Sequence, residues 1–177
     1  MSAFRRASLA LVPMLVLTLG GCVSDDTTKN GKNDPLPRMS RDKAQAWAKH
    51  WTESMARTAK AEIVPSTHQA SFTNCQGKNG ESAKDGRFTL AYNVRAELPK
   101  AEHAAAIRAI TAELQAQGFK IVGSRSDATA DRGGYLVQAQ HPKDRQYVSA
   151  GDVSDTRITL NIRTPCLLPP DAEQQEF

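Results

Sequence analysis

Few residues in this 177-residue chain have the types and spacing that chemistry needs. Ser40-Arg41-Asp42-Lys43 has the Ser-x-x-Lys spacing in which a lysine amine relieves a serine of its proton. No Lys-Thr-Gly or Ser-Asp-Asn accompanies it, and Ser40 is fully explained as the N-cap of a helix. His50, His68, His103 and His141 could act as bases, but they are scattered and none has an evident partner in sequence. Asp127 with Asp131, or Asp152 with Asp155, could hold calcium between loops. They lack the ligand density of a calcium loop, and acidic turns are ordinarily just solvated. The chain contains no His-Glu-x-x-His, no Gly-x-Ser-x-Gly and no phosphate-binding glycine loop. No catalytic residue, metal ligand or cofactor is therefore expected.

The three cysteines are more informative. Cys22 ends the run Leu19-Gly20-Gly21-Cys22, where an apolar stretch gives way to a polar one. Residues 1–21 have the parts of an export signal: Arg5 and Arg6, then an apolar segment from Ser8 to Leu19 broken by Pro13, then two small residues. That segment is too short to span a bilayer. With no Ala-x-Ala site nearby, the reading is a lipobox, cleaved before Cys22, whose thiol carries a diacylglycerol. Two acyl chains give stable anchoring without a transmembrane helix. In an oxidising exterior, the remaining pair, Cys75 and Cys166, is expected to form a disulfide. It would close a loop of about 90 residues, worth roughly 4–5 kcal/mol in the chain-entropy model. The competing metal site lacks a Cys-x-x-Cys and clustered histidines.

The elements that position these residues follow from periodicity. Residues 22–38 are polar and turn-rich, and read as a flexible tether of roughly 20–25 Å average reach. From 41 to about 62, Trp47, Trp51, Met55 and Thr58 form one stripe of a helix. The two tryptophans could be a stacking shelf for a ligand, but burial of the helix on a sheet explains them better. Pro65 ends this helix. Residues 67–75 form a modest strand, and 76–86 a polar loop with Asn79-Gly80 and Asp85-Gly86 turns. Residues 87–98 alternate most clearly, with Phe88, Leu90, Tyr92, Val94, Ala96 and Leu98 on one side and Arg87, Thr89, Asn93, Arg95 and Glu97 on the other. One dry and one wet face imply an antiparallel sheet.

Pro99 opens a second helix with Ala104, Ile107, Ile110 and Leu114 buried, and Gly118-Phe119 closes it in a Schellman motif. Strands follow at 119–125, 135–141 and 156–164, with a short extra one possible at 146–150. In the last, Ile158, Leu160 and Ile162 point inward. Both cysteines fall at strand ends, so the disulfide would tie the first strand to the last. The expected fold is α+β: two layers, an antiparallel sheet of about five strands with both helices on one face, in the order α-β-β-α-β-β-β. One domain is expected over residues 39–168, with a loose tail at 169–177.

Charge excludes one class of partner. The chain carries a net +4, but the export signal takes Arg5 and Arg6 with it, leaving 21 basic residues against 19 acidic ones, or +2. That is no nucleic-acid footprint. The lipobox at Cys22, the tether, the helix running to Pro65, Cys75 after the first strand, Gly118-Phe119 and Thr164-Pro165-Cys166 together resemble the small cell-envelope lipoproteins of actinobacteria such as streptomycetes. The resemblance implies an address and an architecture, and brings no functional residues with it. The expectation is a membrane-anchored, non-enzymatic binding module on the extracytoplasmic side of the cell membrane, with an envelope protein, polymer or small ligand as partner. The alternatives are a regulator or inhibitor of an extracellular enzyme, or a hydrolase. The hydrolase would gather two or more of His68, His103, His141, Asp127 and Asp152 around a hydroxyl.

Overall fold

A computed structural model describes residues 34–126 and 134–177. Cys22, the export signal and most of the tether lie outside the described residues, as do Asp127 and Asp131. The chain order is α1 (Arg41–Ala59), β1 (Glu62–Ile63), a 3-10 turn (Pro65–Thr67), β2 (Gln69–Asn74), β3 (Phe88–Glu97), α2 (Lys100–Ala116), β4 (Lys120–Ser126), β5 (Tyr135–Gln140), β6 (Tyr147–Ser154) and β7 (Arg157–Arg163).

The fold is α+β, with seven strands rather than about five and an extra strand on each side of α2. Every ladder between them is antiparallel, in the spatial order β1-β3-β7-β6-β5-β4, with β2 also on β3. β1 and β2 pair with successive parts of β3, so they form one edge strand that Pro65 interrupts. β1 has only two residues, too few for any periodicity to register. β6 runs through Ser149, Ala150, Gly151 and Asp152, which are small or poor strand formers; neighbours on both sides hold it in the sheet.

The apolar side of every strand faces the helices. Phe88, Leu90, Val94, Val137, Val148, Ile158 and Leu160 have no exposed surface. Each such side chain contributes about 1.5–3 kcal/mol by leaving water. α1 packs over β3 and β7, and α2 over β4, β5 and β6. Ser40 caps α1, its hydroxyl accepting from Lys43 N at 3.3 Å. The stripe that α1 buries is Ala44, Ala48, Thr52, Met55, Ala56 and Ala59; of the expected line Trp47, Trp51, Met55 and Thr58, only Met55 belongs to it. Small side chains let the helix lie close to the sheet. Trp47 and Trp51 are left half-buried at its flank, where Trp51 meets Phe119 edge-on at 5.1 Å. α2 closes as expected, with Gly118 at φ 85° and Phe119 N bonded to Leu114 O at 2.9 Å.

Cys75 and Cys166 are joined, their Cα atoms 6.0 Å apart. The bond links the segments on either side of β3, beside its first residue. Residues on either side of the expected domain limits bond to each other. Arg38 Nη1 donates to the carbonyls of Pro170 and Ala172 at 2.8 and 2.7 Å. Leu168 N donates to Pro37 O at 2.9 Å, and Leu36 N to Gln174 Oε1 at 2.8 Å. Residues 36–38 and the C-terminal segment are thus tied together by hydrogen bonds, although that segment stays partly exposed. Backbone amides and carbonyls that composition alone marks as polar find their partners in each other.

Candidate ligand-binding face

Among the described residues, the helices cover one side of the sheet and leave the other open. Alternation sends every second residue of each strand to that open side, and the antiparallel registers bring those residues into rows across the strands. The central row is Gln69, Asn93, Asn161, Ser149, Gln138 and Gly123, one from each of six strands. On one side of it runs Ser71, Ala91, Arg163, Tyr147, Gln140 and Lys120. On the other runs Arg95, Thr159, Gly151, Leu136 and Arg125. These three rows contain four cations and no carboxylate. The next pair outward is Glu97 with Arg157, which lie 3.5 Å apart at the margin.

Two devices keep the rows aligned. A bulge in β4 between Ile121 and Gly123 returns the strand to phase, so Ile121 faces the helices while Gly123 and Arg125 face the open side. At the opposite edge, Thr67 Oγ1 accepts from Arg95 N at 2.9 Å and fixes the start of β2. Within the central row the side chains hold one another. Asn161 Nδ2 donates to Ser149 Oγ at 3.3 Å, and Asn93 Nδ2 donates to Thr159 Oγ1 at 2.9 Å and to Asn161 Oδ1. Bonded amides of this kind present fixed donors and acceptors instead of freely rotating ones.

The middle of the face is a shallow concavity open to solvent, of about 640 Å³ above Ser71, Asn93, Tyr147, Ser149, Asn161 and Arg163. Ser149 is 7 % exposed although no helix among the described residues covers it. Burial pushes the Tyr147 hydroxyl pKa up, and the neighbouring Arg163 pulls it partly back. Gln140 and Arg145 also border a larger groove of about 1360 Å³ beside the disulfide, lined by Met39, Cys75, Lys78 and Cys166. The two hollows meet at the β5–β6 turn.

The residues singled out in the sequence lie outside the three rows, and of them Asp155 and Asp152 both act on Lys100 while His103 acts on Asp155. Ser40 and Lys43 are the cap of α1, and His50 lies exposed on that helix. His68 Nδ1 is 2.7 Å from the Tyr92 hydroxyl, at the edge between β2 and β3. His103, in the first turn of α2, is buried with Nε2 2.9 Å from Leu98 O. His141 Nδ1 is 3.1 Å from Asp144 N in the β5–β6 turn. Asp152 accepts from Gly134 N and Tyr135 N at 2.9 Å each, and Asp155 pairs with Lys100 at 2.7 Å. No two of His68, His103, His141 and Asp152 share a partner in these bonds. Among the described residues, no group of three or more His, Cys, Asp or Glu is arranged to hold a metal ion.

Two features escaped the sequence reading. The outward residues of β3 and β7 were legible as solvent-facing, but their alignment into rows depends on registers that only the folded sheet provides. The other is the ion pair of Asp85 and Arg87, expected in a turn and on a wet face but in fact buried. Gln175 N donates to Asp85 Oδ2 at 3.0 Å, and Phe177 lies over the guanidinium at 4.4 Å. The bonds from Arg87 hold the Asp85 carboxyl well below the usual carboxylate range, outweighing the cost of its burial. Comparison with protein-family models, with curated proteins and with solved structures finds no match to this chain.

Proposed function

We propose that the chain is an envelope lipoprotein, anchored through diacylglycerol on Cys22 at the extracytoplasmic side of the cell membrane, and that its domain binds a polar ligand on the open sheet face without catalysis. One observation carries the binding reading: an uncovered face of six strands presents three in-register rows of amides, hydroxyls and cations with no carboxylate among them. A face that served only to meet water would have no need of a concave centre with a buried serine. The separate engagements of His68, His103, His141 and Asp152 support binding over hydrolysis.

Accessibility of single cysteines to a maleimide tests the binding reading. Ala91→Cys puts a thiol on the open face, and Lys49→Cys puts one on the outer side of α1. Isolated envelope material is expected to protect the first several-fold and leave the second unchanged. Equal labelling of both would refute the binding reading. Anchoring is tested separately: Cys22→Ala is expected to release the protein from membranes or block its processing, and normal processing with full retention would remove the lipobox from consideration.

A further inference from the structure

We infer that the occupant of the open face is an acidic polysaccharide strand, an inference that rests on this face being the binding surface. Three properties of the face select that chemistry. The first is charge: Arg95 and Arg125 on one side of the central row, with Arg163 and Lys120 on the other, make a positive border against which an anionic chain is attracted. Guanidinium groups pair with carboxylates through two parallel bonds, and three of these four cations are arginine.

The second property is the amide row itself. Gln69, Asn161 and Gln138 each offer both donors and acceptors, and Asn93, whose amide hydrogens go to Thr159 and Asn161, offers an acceptor; a hydroxyl-bearing ligand requires both and a bare polyanion does not use them. The third is extent. With neighbouring strands about 4.8 Å apart, a row crossing six of them runs on the order of 24 Å. That is the reach of several linked sugars and not of a single small anion. Tyr147 and Leu136, both half-buried on this face, give ring faces an apolar surface to lie on.

The face lacks what other partners need. The core of a protein interface is apolar and aromatic, whereas the centre here is Asn, Ser and Gln. Single-stranded nucleic acid is held by successive aromatic platforms, and Tyr147 is the one aromatic residue in the three rows.

Titration of the purified full chain in detergent, by calorimetry, with polygalacturonate, dextran and polyphosphate separates these chemistries. Polygalacturonate is expected to bind at least ten-fold more tightly than either neutral dextran or hydroxyl-free polyphosphate, and more weakly as salt is raised. Arg163→Gln and Asn161→Ala are each expected to weaken it by ten-fold or more. Lys120→Gln with Arg125→Gln, on the exposed edge strand, serves as a second variant should either of those unfold, with thermal melting as the check. Dextran binding as tightly as polygalacturonate would overturn the role of charge. Polyphosphate binding as tightly would overturn the role of the amide row. Binding that all the variants leave intact would put the ligand elsewhere on the chain, and no binding of polygalacturonate would overturn the inference outright. If polygalacturonate fails while envelope material still protects Ala91→Cys, the acidic glycan is wrong and the binding face stands. If both fail, the face falls with it.

Discussion

β3 and β7 present two different surfaces on alternate residues. Toward the helices, Leu90, Val94, Ile158 and Leu160 are sealed from water and packed on α1. On the open side of the same two strands lie Asn93, Arg95, Thr159, Asn161 and Arg163. Close packing constrains the first set, since a protein interior tolerates neither a void nor an extra methylene cheaply. The second set is constrained only by its neighbours in the row. A polar face left open on an antiparallel sheet is ordinary; one that is concave, internally bonded and free of carboxylates has more order than solvation requires. The contrast separates what makes this chain fold from what it can recognise.

The contrast breaks first, if it breaks, at adjacent positions. Leu160→Ala removes a side chain with no exposed surface, and is expected to cost on the order of 4 kcal/mol. Asn161→Ala, one residue on, loses bonds at a surface that water can reach, and is expected to cost about 1 kcal/mol. Urea unfolding of both variants checks this. Comparable losses would mean that the open face is a structural element in its own right, and its reading as a binding surface would weaken accordingly.

The covered face was largely legible in the sequence, because burial leaves a period: the six apolar residues from Phe88 to Leu98 all point inward as alternation required. So were the caps at Ser40 and Gly118 and the pairing of Cys75 with Cys166, since each rests on a local rule or on a count of cysteines. The α1 stripe misled because hydrophobicity favours tryptophan for the core, whereas the close approach of helix to sheet favours Ala44, Ala48 and Ala56. The open face was not legible. No residue in it has an unusual neighbour in sequence, and its rows join positions up to 92 residues apart, as from Gln69 to Asn161.

Arg87 blurs the division between faces and so sharpens it when tested. Alternation puts it opposite Phe88, on the open side, yet the C-terminal segment covers it and Asp85 neutralises it. Asp85→Asn would leave a buried guanidinium without its counter-charge, and is expected to cost about 3 kcal/mol at pH 7. Because folding lowers the pKa of Asp85, its contribution is present above the unfolded value of about 4 and is lost as the pH falls through the folded value. The gap in stability between the native protein and Asp85→Asn is therefore expected to narrow steadily below pH 4, read from urea midpoints. A gap independent of pH would mean that Asp85 is not held as a carboxylate.

The smallest expected change in stability probes the open face most directly. Gly123 ends the central row, paired with Gln138, and a Cβ there would meet Gln138 Oε1 at 2.5 Å. The obstructing atom is the far end of a flexible side chain, so Gly123→Ala is expected to shift the Gln138 amide and to change stability by no more than about 0.5 kcal/mol. Gly151 offers the matched control on the same face. There an added Cβ would come to 3.0 Å from the backbone carbonyl of Tyr135, which cannot step aside. If Gly123→Ala leaves the melting temperature alone and weakens ligand binding, recognition depends on where the row's amides point. If it changes neither, the end of the row at β4 plays no part, and the binding surface contracts to the concave centre around Ser149.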